Sequence, residues 1–220
     1  MLHSIPSVKL LGVNIDYAMN FNIHVTEICK KAGRHLNALS RLSIILNTDE
    51  KMKLFECFIL SHFNFCPLVW HWCSVSDMKK IENVQKRALR HVYKDYTCSY
   101  HDLLEKAGKP LLYIHRLKLI VSEVYKIINH IGPKYLHDMF VEKSCKYSLR
   151  KKSILDQPRV HSVTQGKNTF RYEGTVLWNM LPNDMKDAAN FNVFKRFIMN
   201  WEGPNCECRN CKLCSLTSLL

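Results

Sequence analysis

Residues 78–94 read MKKIENVQKRALRHVYK. Apolar residues recur at Ile81, Val84, Ala88 and Val92, spaced by three and four, the period of a helix with one buried face. Lys79, Lys80, Lys86, Arg87, Arg90 and Lys94 fall off that stripe, and Glu82 is the only acid within the helix. Ser74 to Asp77, just upstream, carry a helix-start signal. The segment therefore predicts an amphipathic helix with a basic outer face, and the rest of the chain repeats the same period.

Upstream, Phe21–Leu46 places apolar residues at Ile28, Ala32, Leu36, Leu39 and Leu42, with Lys30, Lys31, Arg34, His35 and Arg41 around them. Asn47-Thr48-Asp49 punctuates, with Thr48 or Asp49 as the expected cap, and a second helix is predicted from Glu50 to about Asn64. Cys66-Pro67 interrupts it. The aromatic-dense stretch that follows supplies a candidate core: Phe55, Phe58, Phe63, Phe65, Leu68, Trp70 and Trp72. Downstream, helices are predicted over Tyr100–Lys106, Leu111–Ile131, Tyr135–Phe140, Glu173–Met180 and Phe191–Trp201. Val8–Ile15 reads as one strand with Gly12 inside it and no partner before it. Arg159–Val163 and Thr169–Tyr172 could pair as a small hairpin. The expectation is a mainly α protein with a short N-terminal β-strand and a possible small β-hairpin in its C-terminal half.

The chain has 220 residues, 32 Lys+Arg against 19 Asp+Glu, and a net charge of +13. Hydrophobic residues make up 47%, which excludes disorder throughout, and the charge predicts attraction to polyanions. The most apolar stretch, Leu111–Val121, is broken by His115, Arg116 and Lys118, too short and too charged for a membrane span. No cationic region precedes the N-terminal apolar run, so the reading is an intracellular protein, in the nucleus and/or cytoplasm. In a reducing compartment, Cys29, Cys57, Cys66, Cys73, Cys98 and Cys145 read as small buried hydrophobes.

Chemistry is conspicuous by what is missing from the sequence. It contains no Gly-rich phosphate loop, no HExxH, no GxSxG and no adjacent Asp pair. Two-metal nucleotidyl transfer needs clustered acids, and Asp16, Asp49, Asp77, Asp95 and Asp102 are singletons.

Seven segments in series are more specific than any one alone. VKLLGVNID (8–16), FNIHVTEICKKAGRHLNALSRL (21–42), FILSHFNFCPLVWHWCS (58–74), IENVQKRALRHVY (81–93), SYHDLLEKAG (99–108), YEGTVLWNMLP (172–182) and FKRFIMNW (194–201) resemble, in order, the C-terminal third of non-LTR (LINE-type) retrotransposon reverse transcriptases of the jockey and chicken-repeat group. The resemblance implies a remnant of the last palm strand over 1–16, a thumb-like helical bundle over 17–100, a helical C-terminal region with a basic stretch over 101–205, and a Cys-rich tail over 206–220. Fingers, palm acidic motif and endonuclease are absent, so the chain resembles a truncated copy or partial gene product of an RNA-directed DNA polymerase. It is not expected to polymerise by itself.

By this reading the partners are RNA and DNA, duplex or template strand, with no membrane and no small-molecule substrate. Lys79, Lys86, Arg87, Arg90 and Lys94, with Arg150, Lys151 and Lys152, are the candidate phosphate contacts. Tyr147 and Tyr172 are candidate base stackers within a stretch, 142–171, that holds eight basic residues against two acidic ones. The alternatives are a non-enzymatic helical interaction protein, its charge only solvation, or a nonfunctional retroelement relic.

Cys206, Cys208, Cys211 and Cys214 form C-x-C-x₂-C-x₂-C, and the CxxC steps have chelating spacing. Arg209 and Lys212 favour thiolates. Four ligands within nine residues leave little room around an ion, so a zinc site and a tail of reactive thiols both stand. Metal analysis decides between them. A zinc site returns close to one zinc per chain, as a closed tetrahedral site requires, and loses it in Cys211→Ser. A thiol tail returns none, and its four cysteines titrate freely.

Overall fold

The N-terminal apolar run folds back on itself. In this computed structural model, which describes residues 7–143, 154–162, 166–204 and 216, β1 (Ser7–Leu10) pairs antiparallel with β2 (Val13–Asp16), Leu10 opposite Val13. The expected single strand is thus a hairpin whose halves partner each other. Its two turn residues, Leu11 and Gly12, have φ of 46° and 89°, the positive values that a two-residue hairpin of type I′ requires. A Cβ on Gly12 would also lie 3.1 Å from the Phe65 ring. β2 is largely buried, whereas Val8 and Leu10 of β1 remain exposed on the outer edge. Asp16 ends β2, and its carboxylate accepts the backbone N–H groups of Ala18, Asn20 and Phe21 at 3.0, 3.2 and 2.7 Å.

The described residues contain ten α-helices, and the mainly α expectation holds. Two compact units divide the chain, 1–113 with 206–220 and 114–205. In the first, α1 (Asn22–Leu42) buries Val25, Ile28, Ala32, Leu36 and Leu39. Leu42, expected on that stripe, is exposed. α2 (Thr48–Leu54) starts at Asn47 rather than at Thr48 or Asp49. Asn47 and Glu50 exchange side chain–backbone bonds in a full capping box. A π-helical stretch, Phe55–Leu60, then leads into α3 (Ser61–Asn64). Cys66 takes a left-handed conformation and Pro67 opens α4 (Pro67–Trp70), the break expected there.

Ser74 caps α5 (Val75–Tyr93) by accepting the Asp77 N–H. α6 (Tyr100–Ala107) ends on Gly108 at φ 59°. Of the predicted aromatic core, Phe55, Phe63 and Trp70 are buried, the Trp70 Nε1–H donating to the Phe65 carbonyl at 3.0 Å. Phe58 and Phe65 are exposed instead, and Leu68 and Trp72 are half-buried. Among the six scattered cysteines, Cys73 is buried, Cys29 and Cys98 are half-buried, and Cys57 and Cys66 are exposed. Cys145 lies outside the described residues.

α7 (Leu112–Ile128) continues into the second unit, where Val124 and Tyr125 meet α8 (Phe170–Met180) and α10 (Phe191–Asn200). The Tyr125 and Phe194 rings stack at 4.2 Å, Trp178 closes the cluster, and the Tyr125 hydroxyl donates to the Ala188 carbonyl. Gly174 lets α8 approach closely. A Cβ there would lie 2.8 Å from Val124 Cγ2, a clash that outweighs the roughly 1 kcal/mol a helix gains from Gly→Ala.

The hairpin expected over Arg159–Tyr172 is corrected. Thr169 caps α8 by accepting the Tyr172 N–H, and Phe170, Gly174, Leu177, Trp178 and Leu181 fall on one helical face. That period wins over the β-propensity of Phe170 and Tyr172. The bridge in this half joins Glu142 to Leu155, and the Asn179 side chain pins both backbone groups of Leu155. α9 (Asn183–Lys186) precedes α10. Among the described residues no helix is long and apolar enough to cross a membrane.

His24, on the first turn of α1, is 2% exposed, and its Nδ1 accepts the Asn14 N–H at 3.3 Å. Burial holds its pKa below the ordinary 6.5, and burial does the same to His62 and His91. The unfolded chain protonates near 6.5 while the folded imidazoles stay neutral, so stability is full above that pH and drains as pH falls toward the folded values. The melting temperature is expected to drop between pH 7.5 and 5.5, and to drop less in His24→Gln. A melting temperature independent of pH over that range would show that these imidazoles carry no such linkage.

Candidate nucleic-acid interface

At about 100° per residue, α5 sorts its side chains into two arcs. Met78, Ile81, Gln85, Ala88, Leu89 and Val92 are buried, so the stripe runs one position away from the expected Val84, which is half-buried. Glu82 lies inside this arc and is fully buried. Its Oε2 accepts the Tyr100 hydroxyl and its Oε1 the Tyr113 N–H, both at 2.8 Å. Burial, then the Glu82 charge, push the Tyr100 phenol well above its usual range.

The opposite arc carries Lys79, Asn83, Lys86, Arg87, Arg90 and Lys94. All five basic residues predicted on this helix therefore share one face. They are not equivalent. Arg87 and Lys94 are exposed, and Lys79, Lys86 and Arg90 are half-buried. The Lys86 ammonium sits 5.6 Å from the Tyr100 ring centroid, a cation–π distance that ties it to the fold. Lys80, on the border, is held by the buried Asp77 at 2.7 Å. Lys79, Arg87, Arg90 and Lys94 form no ion pair with any described residue. Lys51 of α2 is buried, and burial followed by the nearby Lys94 charge lowers its pKa. The end of α5 thus gathers positive charge, and Lys94 forms no ion pair among the described residues.

Tyr172 lies on α8 in the second unit, half-buried. Tyr147, Arg150, Lys151 and Lys152 lie outside the described residues, as do Cys206, Cys208, Cys211 and Cys214. A group of possible metal ligands among the described residues, His101, Asp102 and Glu105, is exposed at the start of α6. Exposed groups of this kind are common without an ion, and nothing else marks a site there. Sequence reasoning left out a second cationic strip, on α1: Lys30, Arg34 and Arg41 are exposed, Lys31 is half-buried, and none is ion-paired among the described residues. The spacing of 30, 34 and 41, one helical face, was its signal.

Comparison with protein-family models, with curated proteins and with solved structures finds no match to this chain. Charge and geometry carry the functional reading.

Lys94 ends α5 in the left-handed region, at φ 54° and ψ 31°, where a non-glycine residue costs about 1–2 kcal/mol. Lys94→Gly removes that cost, less the roughly 0.5–1 kcal/mol of extra freedom glycine loses on folding. Chemical denaturation is expected to show a gain of up to about 1 kcal/mol while polyanion affinity falls. A variant that loses stability would show that Lys94 contributes more to the fold than its backbone strain costs.

Proposed function

We propose that this chain binds nucleic acid through the phosphate backbone, as the thumb and C-terminal region of a non-LTR reverse transcriptase would, without a polymerase active site of its own. The observation that carries the reading is the α5 face, where four cations without described ion-pair partners line one side of a helix fixed on its other side by a buried carboxylate. Such an array neutralises successive phosphates and releases their counterions, which gives affinity without sequence readout. The serial resemblance of seven segments to that family supports the same partner. Several carboxylates already have structural work: Asp16 holds three amides, Asp77 holds Lys80, and Glu82 holds two donors. Asp95 accepts backbone N–H groups and the Lys106 ammonium, bonds that lower its pKa to about 2.

Duplex binding followed against salt tests the reading. Each lost phosphate contact lowers the slope of log affinity against log salt by roughly 0.9 on duplex. Lys79→Ala, Arg87→Ala and Lys94→Ala combined are expected to weaken binding to all duplexes alike and flatten the slope by about two to three units. Lys86 is left intact because it also packs on Tyr100. Wild-type affinity and slope in the triple variant, with an unchanged melting curve, would reduce the face to solvated charge.

A further inference from the structure

Beside the α1 strip, three rings stand in a column. The Phe58 and His35 rings stack at 5.8 Å and 28°, and His35 stacks in turn on His62 at 5.3 Å and 26°. Phe58 is 52% exposed although its sequence pattern places it in the core. The π-helical stretch Phe55–Leu60 explains this. It buries Phe55, Ile59 and Leu60, and its wider turn rotates Phe58 outward. Such insertions occur often at functional sites. Next to Phe58 lies an open apolar cavity of about 210 Å³, floored by Leu39, Leu42, Leu54 and Ile59. That exceeds several waters at about 30 Å³ each and falls short of the roughly 300–1,000 Å³ of drug-sized sites. It suits a single planar ring system.

Charge identifies the occupant. Lys31 and Arg34 act on His62, whose pKa they help to lower after burial and His35. Both are unpaired among the described residues, as are Lys30 and Arg41 elsewhere on α1. Exposed ring faces beside unneutralised cations match an unpaired base and its phosphates.

We propose that Phe58, His35 and His62 form a stacking platform for one unpaired base of a single-stranded nucleic acid. The base lies on the exposed face of Phe58 over the cavity, and Lys31 and Arg34 hold the adjoining phosphates. This rests on the nucleic-acid reading above but concerns a different helix and a different form of the ligand.

A single-stranded oligonucleotide carrying 2-aminopurine, whose fluorescence falls on stacking, is the probe, with a duplex of the same sequence beside it. Wild type is expected to quench the probe. Phe58→Ala is expected to abolish quenching and to weaken single-strand binding about tenfold, while duplex affinity and its salt slope stay unchanged. Phe58→Trp should keep both properties. Phe58→Leu, which preserves apolar bulk without a ring, should lose quenching and is the variant to use if alanine lowers the melting temperature. Unchanged quenching in Phe58→Leu, with duplex binding intact, overturns the platform alone. Wild type that binds neither form overturns the underlying reading as well. A concentration-dependent dimer that Phe58→Leu dissociates, without quenching in wild type, shows the patch to be covered by a second copy and also overturns the platform.

Discussion

One buried carboxylate organises the first unit. Glu82 sits on the core side of α5 and bonds a side-chain hydroxyl on α6 and a backbone amide at the start of α7. Losing such a bond at a buried donor costs about 1–3 kcal/mol, and stranding the buried carboxylate costs more. Either half without the other is a liability, so α5, α6 and the α7 start are constrained to one mutual arrangement. Lys86 then leans over the Tyr100 ring whose hydroxyl Glu82 holds. The rotation of α5 about its axis follows from this, and with it the outward direction of Lys79, Arg87, Arg90 and Lys94.

Where hydrophobic period and local capping agreed, the fold was legible. Ser74 before Met78 and Ile81, or Gly108 after Leu104, located helix ends because each side chain or glycine does local work. The basic face of α5 was legible for the same reason. Glu82 was not: an acid among apolar residues reads as an exposed residue, and only the partners of Tyr100 and Tyr113, distant in sequence, reveal it as buried. The strand pair was not legible because Gly12 sits within an apolar run that reads as one continuous strand. Its positive φ, shared with Leu11, makes it the turn.

Phe58 and Phe170 show opposite failures of local reading. Phe58 belongs to an apolar run that fits a helix, yet a π-helical turn shifts it out of phase with Phe55 and Ile59, and no residue type announces such a shift. Around Phe170, β-prone residues suggest a strand. Thr169 at the cap, and four apolar side chains in helical phase with Gly174 on one face, outweigh them, because burial against Val124 and Phe140 counts for more than propensity differences within about 1 kcal/mol.

The α5 face carries an intrinsic cost that bears on its purpose. Lys86 with Arg90, Arg90 with Lys94, and Arg87 with Arg90 are like-charge neighbours, each pair destabilising by roughly 0.2–0.5 kcal/mol, or about 1 kcal/mol together. The helix dipole offsets part of this for Arg90 and Lys94, which lie at the negative end, but not for Lys79 near the start. Salt screens the repulsion without removing it. A polyanion seated on the face converts the same repulsion into attraction and, binding only the folded arrangement, stabilises it by mass action. A merely solvated face would gain by interspersing acids among these cations. The two acids that α5 carries, Asp77 and Glu82, are both withdrawn into the core, so the outer arc stays free of acids while the helix behind it stays fixed.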